Sequence, residues 1–414
     1  MVGTVARLVP ESRRMLFLYV AAGAVFAALS ARGVTVPLYA HQLGATRFAV
    51  GALFSVSTFA AALLSLPAGV LVDRFGARTL LATSLAATAI SQVATAFTVS
   101  VPPLFLWQII GGLAAGTQQS AIFSAVTESV PRGRLGRAMG WLTLSMQVGF
   151  TLGPAIAGIA LKWVDLRTDI AATTALLLIA VPGAMSVSRT RQQTGQGLSL
   201  RTPLRALARQ SAFIPVNLGL IAMTLAWGTF QAYAPIFAQE QLALPTFQVG
   251  LLLALQALFN AGSRPVAGRL VDSARRRWPI VLTGVTVWSL AIVLLGHLTG
   301  FLVPAIVLAI GTPFIATAFV TAGVVFGDLS GASTRGVTMG YYGTVLFVGL
   351  GTGPLVFGPI VQGYGYAPGF TVCAAVAILL VSVMAALQTW PSLRRTEQAP
   401  LGDSETQSAA TRRA

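Results

Sequence analysis

Apolar residues in this chain run in long blocks, separated by short stretches in which charge collects. Twelve blocks are long enough to matter, at approximately residues 15–38, 48–71, 79–99, 103–127, 138–161, 168–188, 212–237, 247–271, 279–299, 302–326, 336–361 and 367–390. About 20 residues of helix cross the hydrocarbon core of a bilayer, so each block predicts one spanning helix. Gly and Pro inside several blocks do not argue against this, because lipid offers the backbone no partner other than its own helix. The longest polar break, 189–211, divides the blocks six and six. The pattern therefore predicts an all-α membrane protein of two six-helix bundles, over 15–188 and 212–390. A short N-terminal segment 1–14, the linker 189–211 and a polar tail 391–414 complete it.

The two halves repeat each other. Gly69–Arg78, GVLVDRFGAR, returns as Gly268–Arg277, GRLVDSARRR, with Gly69 matching Gly268 and Asp73 matching Asp272 at an offset of 199. Gly140, Gly149, Gly153, Pro154 and Gly158 recur 200 residues later as Gly340, Gly349, Gly353, Pro354 and Gly358. A long internal repeat in an apolar chain predicts a transporter built from two homologous halves.

Composition agrees. Apolar residues are 55% of the 414 and charged residues 9%, with a mean hydropathy of +0.78. A soluble protein carries about a quarter of its residues as charges. The net charge of +16 does not point to nucleic acid, because the basic residues sit in short loops between blocks. Twenty-two of them fall on the side of the termini, whereas Arg47, Lys162 and Arg167 alone fall on the other. Positive charge marks the cytoplasmic side, so both termini are expected in the cytoplasm and the chain in the cytoplasmic (inner) membrane. The single cysteine, Cys373, lies inside a block, which leaves no disulfide framework and no thiol metal site. There is no HExxH and no GxxxxGK[ST], so neither zinc chemistry nor ATP is implied, and no cofactor is expected. No filter-like re-entrant loop interrupts the blocks, which argues against a channel.

The motifs carry a family resemblance. Gly69-x-x-x-Asp73-Arg74-x-Gly76-x-Arg78 resembles the cytoplasmic loop motif of the major facilitator superfamily, with Ala77 where a basic residue is usual. The frame Gly140-x8-Gly149-x3-Gly153-Pro154-x2-Ala157-Gly158 resembles the helix-five motif of its drug–proton antiporters, with one Gly replaced by Ala. The resemblance spans about residues 12–390. It implies two six-helix bundles that rock about a central cavity, and protons as a coupling ion.

Glycine at every fourth or fifth position lets a neighbouring backbone approach closely, and Pro154 and Pro354 each remove one helical hydrogen bond. Gly149, Gly153, Pro154, Gly158, Gly349, Gly353, Pro354 and Gly358 are therefore expected as hinges, with helices five and eleven at the contact between the halves. Asp73, Arg74, Arg78 and Glu128, mirrored by Asp272, Arg276, Arg277 and Asp328, are expected to form a cytoplasmic latch. A carboxylate there can accept hydrogen bonds from an open helix N-terminus, and the resemblance implies that of helix eleven, near Gly336.

Inside the membrane, no acidic residue is placed mid-helix, Glu240 is placed in a periplasmic loop, and His41 and His297 fall at the periplasmic margin. The arginine that drug antiporters carry early in helix four is Gln108 here. Arg32 restores a positive charge from helix one, about 9 Å below the periplasmic end at 1.5 Å per residue. An arginine at such depth faces a cavity or a polar partner, and Gln108 is the partner expected at that level. Arg264 is expected as a structural arginine near the cytoplasmic end of helix eight. Gln118, Gln119, Gln147, Trp227, Gln231, Gln256, Asn260, Tyr341 and Tyr342 supply further cavity candidates. Amide and aromatic surface suits small amphipathic molecules. The sequence thus predicts a monomeric secondary transporter that works by alternating access and exports such compounds across the cytoplasmic membrane. A facilitator or importer of a small anionic metabolite, with Arg32 as counter-charge, is the alternative.

Overall fold

The computed structural model describes residues 13–130, 134–187, 201–329 and 335–389. Residues 1–12, residues 189–200 of the linker and the tail 391–414 lie outside the described residues, as does the side chain of Asp73. Among the described residues the chain is helical throughout, with no strand. Twelve long helices account for nearly all of it. The first six are α1 (Arg13–Gln42), α2 (Arg47–Ser65), α3 (Ala77–Phe97), α4 (Val101–Ser129), α5 (Leu135–Ala160) and α6 (Leu166–Ser186). The second six are α7 (Phe213–Glu240), α8 (Thr246–Ser273), α9 (Trp278–Leu295), α10 (Leu302–Asp328), α11 (Arg335–Tyr364) and α12 (Tyr366–Thr389). Ten are long and apolar enough to span a membrane by composition alone. The other two, α4 and α8, are as long but carry Gln108, Thr117, Gln118 and Gln119, and Gln256, Asn260 and Arg264. The most polar helices are thus two that the interior needs.

The chain reverses direction at each turn, so the start of α1 and the end of α12 share one face of the molecule, here the termini face. The opposite one is the far face. The second apolar block, 48–71, does not form a single helix as expected. Its helix stops at Ser65, and a short helix, Ala68–Phe75, follows after Leu66 and Pro67. Pro67 has no N–H to give and its ring opposes the preceding turn. The motif Gly69–Asp73 is therefore helical, and the sharp turn is one residue, Gly76, at φ +80° and ψ 146°. Only glycine takes that conformation without strain. On the far face Asp165 caps α6 by accepting from the Thr168 N–H at 3.3 Å, and this hydrogen bonding holds its carboxyl below the usual carboxylate range.

Helix packing repeats the sequence repeat. In the first half α1 lies along α5 and α6, α3 along α4 and α6, and α2 along α4. In the second half α7 lies along α11 and α12, α9 along α10 and α12, and α8 along α10. Each pair maps onto its counterpart six helices later. Two seams join the halves, α2 with α11 and α5 with α8, and α1 also meets α7.

The apolar core shows where the halves are fused. One cluster takes Phe230, Phe237, Trp288, Phe326 and Phe370 from the second half together with Leu38, Val50, Leu53 and Leu104 from far-face parts of the first. A separate cluster, from Met15 and Leu18 through Leu81, Val126 and Leu142 to Val187, belongs to the first half alone and lies toward the termini face. The halves share a core on the far side and keep separate cores on the termini side.

Candidate functional site

Arg32 and Gln108, which the sequence places at similar depth, are in contact: Arg32 Nη2 donates to Gln108 Oε1 at 2.7 Å. Both are buried, and the guanidinium lies across Gly111 of α4, where any Cβ would strike it. The next glycines along α4, Gly112 and Gly116, instead let α2 approach at Ser57 and Ala61. Arg32 sits deeper than expected. Helix α1 runs on through Pro37 to Gln42, so Arg32 is ten residues from its end, about 15 Å of rise.

On the second half, Arg264 donates from Nε and Nη2 to Asn260 Oδ1 at 3.3 and 3.2 Å. Tyr342 of α11 is its electrostatic neighbour. Gln108, Gln118 and Gln256 each bury an amide Nε2 with no hydrogen-bond partner among the described residues. Gln119 is exposed and lies three turns along α4 from Gln108, on the same side. Gln147 and Gln231 are half-buried. Trp227 is engaged in packing, with its ring 5.0 Å from Trp288 and 6.0 Å from Phe319. Tyr341 donates to Asn217 Oδ1 at 3.0 Å.

The glycine frames do two jobs each. Gly149 and Gly153 pack against Gly23 and Ala27 of α1, and Gly349 and Gly353 against Thr224, Leu225 and Thr229 of α7, all within one half. The last glycine of each frame reaches across near the far face, and Gly340 does so near the termini face. Gly158 meets Gly250 of α8 so closely that a methyl on either would enter the other's backbone. Gly358 faces Phe48, and the Tyr233 hydroxyl wedges against both Gly358 and Gly51 while donating to Pro354 O at 3.0 Å. Helices five and eleven therefore form one side of each seam, with α8 and α2 as the other.

At the far face a polar network that the sequence reading did not anticipate ties the halves together. Glu240, expected in a loop, is the last residue of α7. Its Oε2 accepts from Arg47 Nε at 2.7 Å, lies 2.7 Å from Arg47 Nη2, and accepts from the Tyr366 hydroxyl at 3.0 Å. His41 Nε2 is 3.3 Å from Glu240 Oε1, so His41 is not simply a solvated margin residue. The Arg47 guanidinium also sits 4.9 Å from the Tyr366 ring centre. Beside it the Phe48 N–H donates to Gln362 Oε1 at 3.2 Å. Across the other seam Lys162 Nζ lies 4.4 Å from the Phe247 ring centre.

The termini face is different. Arg74 lies over Phe75, Glu128 accepts from Ser124 Oγ at 2.9 Å, and Asp272 and Arg276 are exposed. Arg78 is half-buried. Arg277 pairs with Asp328, which joins two helices of the same half. Where the halves do meet on this side, Ser65 and Leu66 at the end of α2 lie against Gly340 and Gly343 of α11. His297 is exposed. One acidic residue at a helix start is buried. Asp169, in the first turn of α6, is 1% exposed, and neither carboxylate oxygen has a hydrogen-bond partner among the described residues. Its neighbour Ile170 packs with Val36, Tyr39 and Ala96 behind the interior.

The sequence profile of the Major Facilitator Superfamily matches residues 18–354. Multidrug resistance protein MdtG of Citrobacter koseri is 24% identical over 391 residues, covering 87% of this chain and 90% of that one. Multi-drug resistance efflux pump PmrA of Streptococcus pneumoniae is 24% identical over 246 residues, covering 57% and 61% respectively. In three dimensions the chain resembles the crystal structure of the nucleoside transporter NupG, with a TM-score of 0.72 at 15% identity, over 92% of this chain and 100% of that one. The matched profile, the two six-helix bundles and the repeated seams agree, and the chain belongs to the Major Facilitator Superfamily as a multi-pass membrane transporter.

Proposed function

We propose that this transporter exports small amphipathic compounds across the cytoplasmic membrane by alternating access, with both termini in the cytoplasm. One observation carries the reading. The halves share an apolar core and a charged clasp on the far side, while on the termini side their cores are separate. Polar helices α4 and α8 place buried amide donors between those ends. A cargo taken up from the termini side meets Gln119, Gln108 and Arg32 in turn and stops at the clasp. Release on the far side requires the Glu240 network and the two far-face glycine contacts to open. The Asp73, Arg74, Arg78 and Glu128 group, with Asp272, Arg276, Arg277 and Asp328, then closes the termini face. The names of the relatives MdtG and PmrA support drug efflux as the direction.

A second reading draws on Arg32, a buried cation whose hydrogen-bond partner among the described residues is a neutral amide. It is the facilitated movement or import of a small anionic metabolite, without protons. Inside-out vesicles carrying a pH-sensitive dye separate the two. Export by antiport predicts drug-triggered proton movement that is absent from vesicles lacking the protein. Saturable movement of a small carboxylate, abolished in Arg32→Ala and unaccompanied by proton movement, would replace export with facilitation.

A further inference from the structure

The second arginine of the interior changes what the cargo is expected to be. Arg264 is residue 19 of the 28 in α8, eighteen residues from its far-face start and nine from its other end. At 1.5 Å per residue that is about 27 Å from the far face and about 14 Å inside the termini face, well within the span. Its direction follows from the helix itself. Leu251, Leu258, Phe259 and Val266 are exposed and cluster on one side of α8, the side for lipid. Val249, Leu253, Asn260, Ala267 and Val271 are buried on the opposite side. Arg264 falls among the second group by helical periodicity, yet its side chain is exposed. Exposure on the protein-facing side of a spanning helix is exposure to the space between the halves.

Among the described residues neither interior arginine has a carboxylate partner. Arg264 is hydrogen-bonded to Asn260 and Arg32 to Gln108, both neutral amides. The carboxylates described near this depth are spoken for or misplaced: Glu240 is held by Arg47 and Tyr366 at the far face, and Asp169 lies behind the interior beside Ile170. A spanning arginine costs several kcal/mol unless it is hydrated or paired, and such residues mark the path of a charged permeant. In both places a side-chain amide oxygen fixes one edge of the guanidinium and leaves other N–H groups free to point at a ligand. A planar fork of donors held in this way matches a carboxylate, sulfonate or phosphonate.

We propose that Arg264 and Arg32 are two successive anion-binding stations, one in each half, and that the preferred cargo is an amphipathic organic acid. This rests on the export reading above and narrows its substrate class. The acid group docks first on Arg264 near the termini side, and the apolar body lies against Tyr342 and its aromatic neighbour Phe326, whose rings are 5.2 Å apart. The group then passes inward to Arg32 at the closed end.

Three dansyl compounds of matched size test this with the full-length protein in detergent and in proteoliposomes: dansylglycine (acidic), dansylglycinamide (neutral) and dansylcadaverine (cationic). The proposal expects dansylglycine to bind at least tenfold more tightly than the amide. It expects Arg264→Gln to remove about tenfold from the acid and nothing from the amide, with Arg264→Lys restoring part of the loss. A melting curve run on each variant separates misfolding from lost binding, and the unchanged amide affinity serves as a second control. Equal binding of acid and amide, or equal losses of both in Arg264→Gln, overturns the anion stations. If the amide and the cation are still exported in that case, the export reading survives on its own. Failure of all three to bind or move overturns both.

Discussion

Replacing Glu240 with Ala removes the centre of the far-face clasp, and the structure sets the size of the effect. Arg47 makes two contacts with one carboxylate oxygen, but the side chains are 35% and 19% exposed, so solvent screening reduces the pair to about 1 kcal/mol. The Tyr366 hydrogen bond to the same oxygen joins α7 to α12 within the second half, so it orients the carboxylate and does not count toward closure. The Arg47 pair crosses between the halves and exists only while the far face is closed. Its loss shifts the balance of closed and open states by ~1 kcal/mol, about 5-fold in the ratio. The chain offers a clean background for labels because its one cysteine, Cys373, is fully buried. Spin labels on Val99→Cys and Leu302→Cys, both exposed on the far face in different halves, report the gap by electron–electron distance measurement. The parent should be dominated by one short distance, and Glu240→Ala should raise the ratio of a longer population to it about 5-fold. An unchanged distribution in Glu240→Ala and in Arg47→Ala refutes the clasp as a state-setting element.

Three further outcomes follow from the packing. Gly250→Val drives a branched side chain into the backbone of Gly158 and should cost the closed seam about 1–3 kcal/mol, with slowed transport, whereas Gly262→Val on the same helix meets nothing within 4 Å and should be silent. Asp73→Asn should slow transport several-fold without affecting cargo binding, because the proposed latch acts in the other state; transport at the parent rate would sink the latch. Asp169→Leu replaces two buried oxygens that lack hydrogen-bond partners among the described residues with methyl groups of similar volume, so it should raise stability by about 1–3 kcal/mol, read as a higher melting temperature in detergent. A lower melting temperature would mean that Asp169 is satisfied by something other than the described residues.

The fold was legible because hydrocarbon imposes a single length rule on every apolar block. What that rule does not register is a local break, and the second block failed at Pro67 for this reason. The interior was half legible. Arg32 and Gln108 could be paired by depth, since both count from the same face, although overlooking the passage of α1 through Pro37 put Arg32 too shallow. Loop residues were harder. Arg47 and Lys162 looked like topology markers, and Glu240 like a loop carboxylate, because a charge at a helix end is usually solvated. The repeat held an unused signal for the seams. Phe48 and Phe247 are 199 apart and Lys162 and Gln362 are 200 apart, the same two offsets as the motifs, and the structure joins Phe48 to Gln362 and Lys162 to Phe247. Glu240 with Arg47 has no such counterpart, and only the packing of α1, α2, α7 and α12 brings that network together.

The proposal that the far face opens and closes in every cycle is open to one direct measurement. Phe48→Cys and Gln362→Cys, on opposite sides of the α2–α11 seam, can be bridged by a short bis-thiosulfonate reagent that a reductant later releases. Uptake of a fluorescent amphipathic acid is then followed in proteoliposomes before bridging, after bridging and after reduction. Alternating access predicts that bridging stops transport while cargo still binds from the termini side, and that reduction restores the original rate. Undiminished transport with the two positions bridged would contradict it.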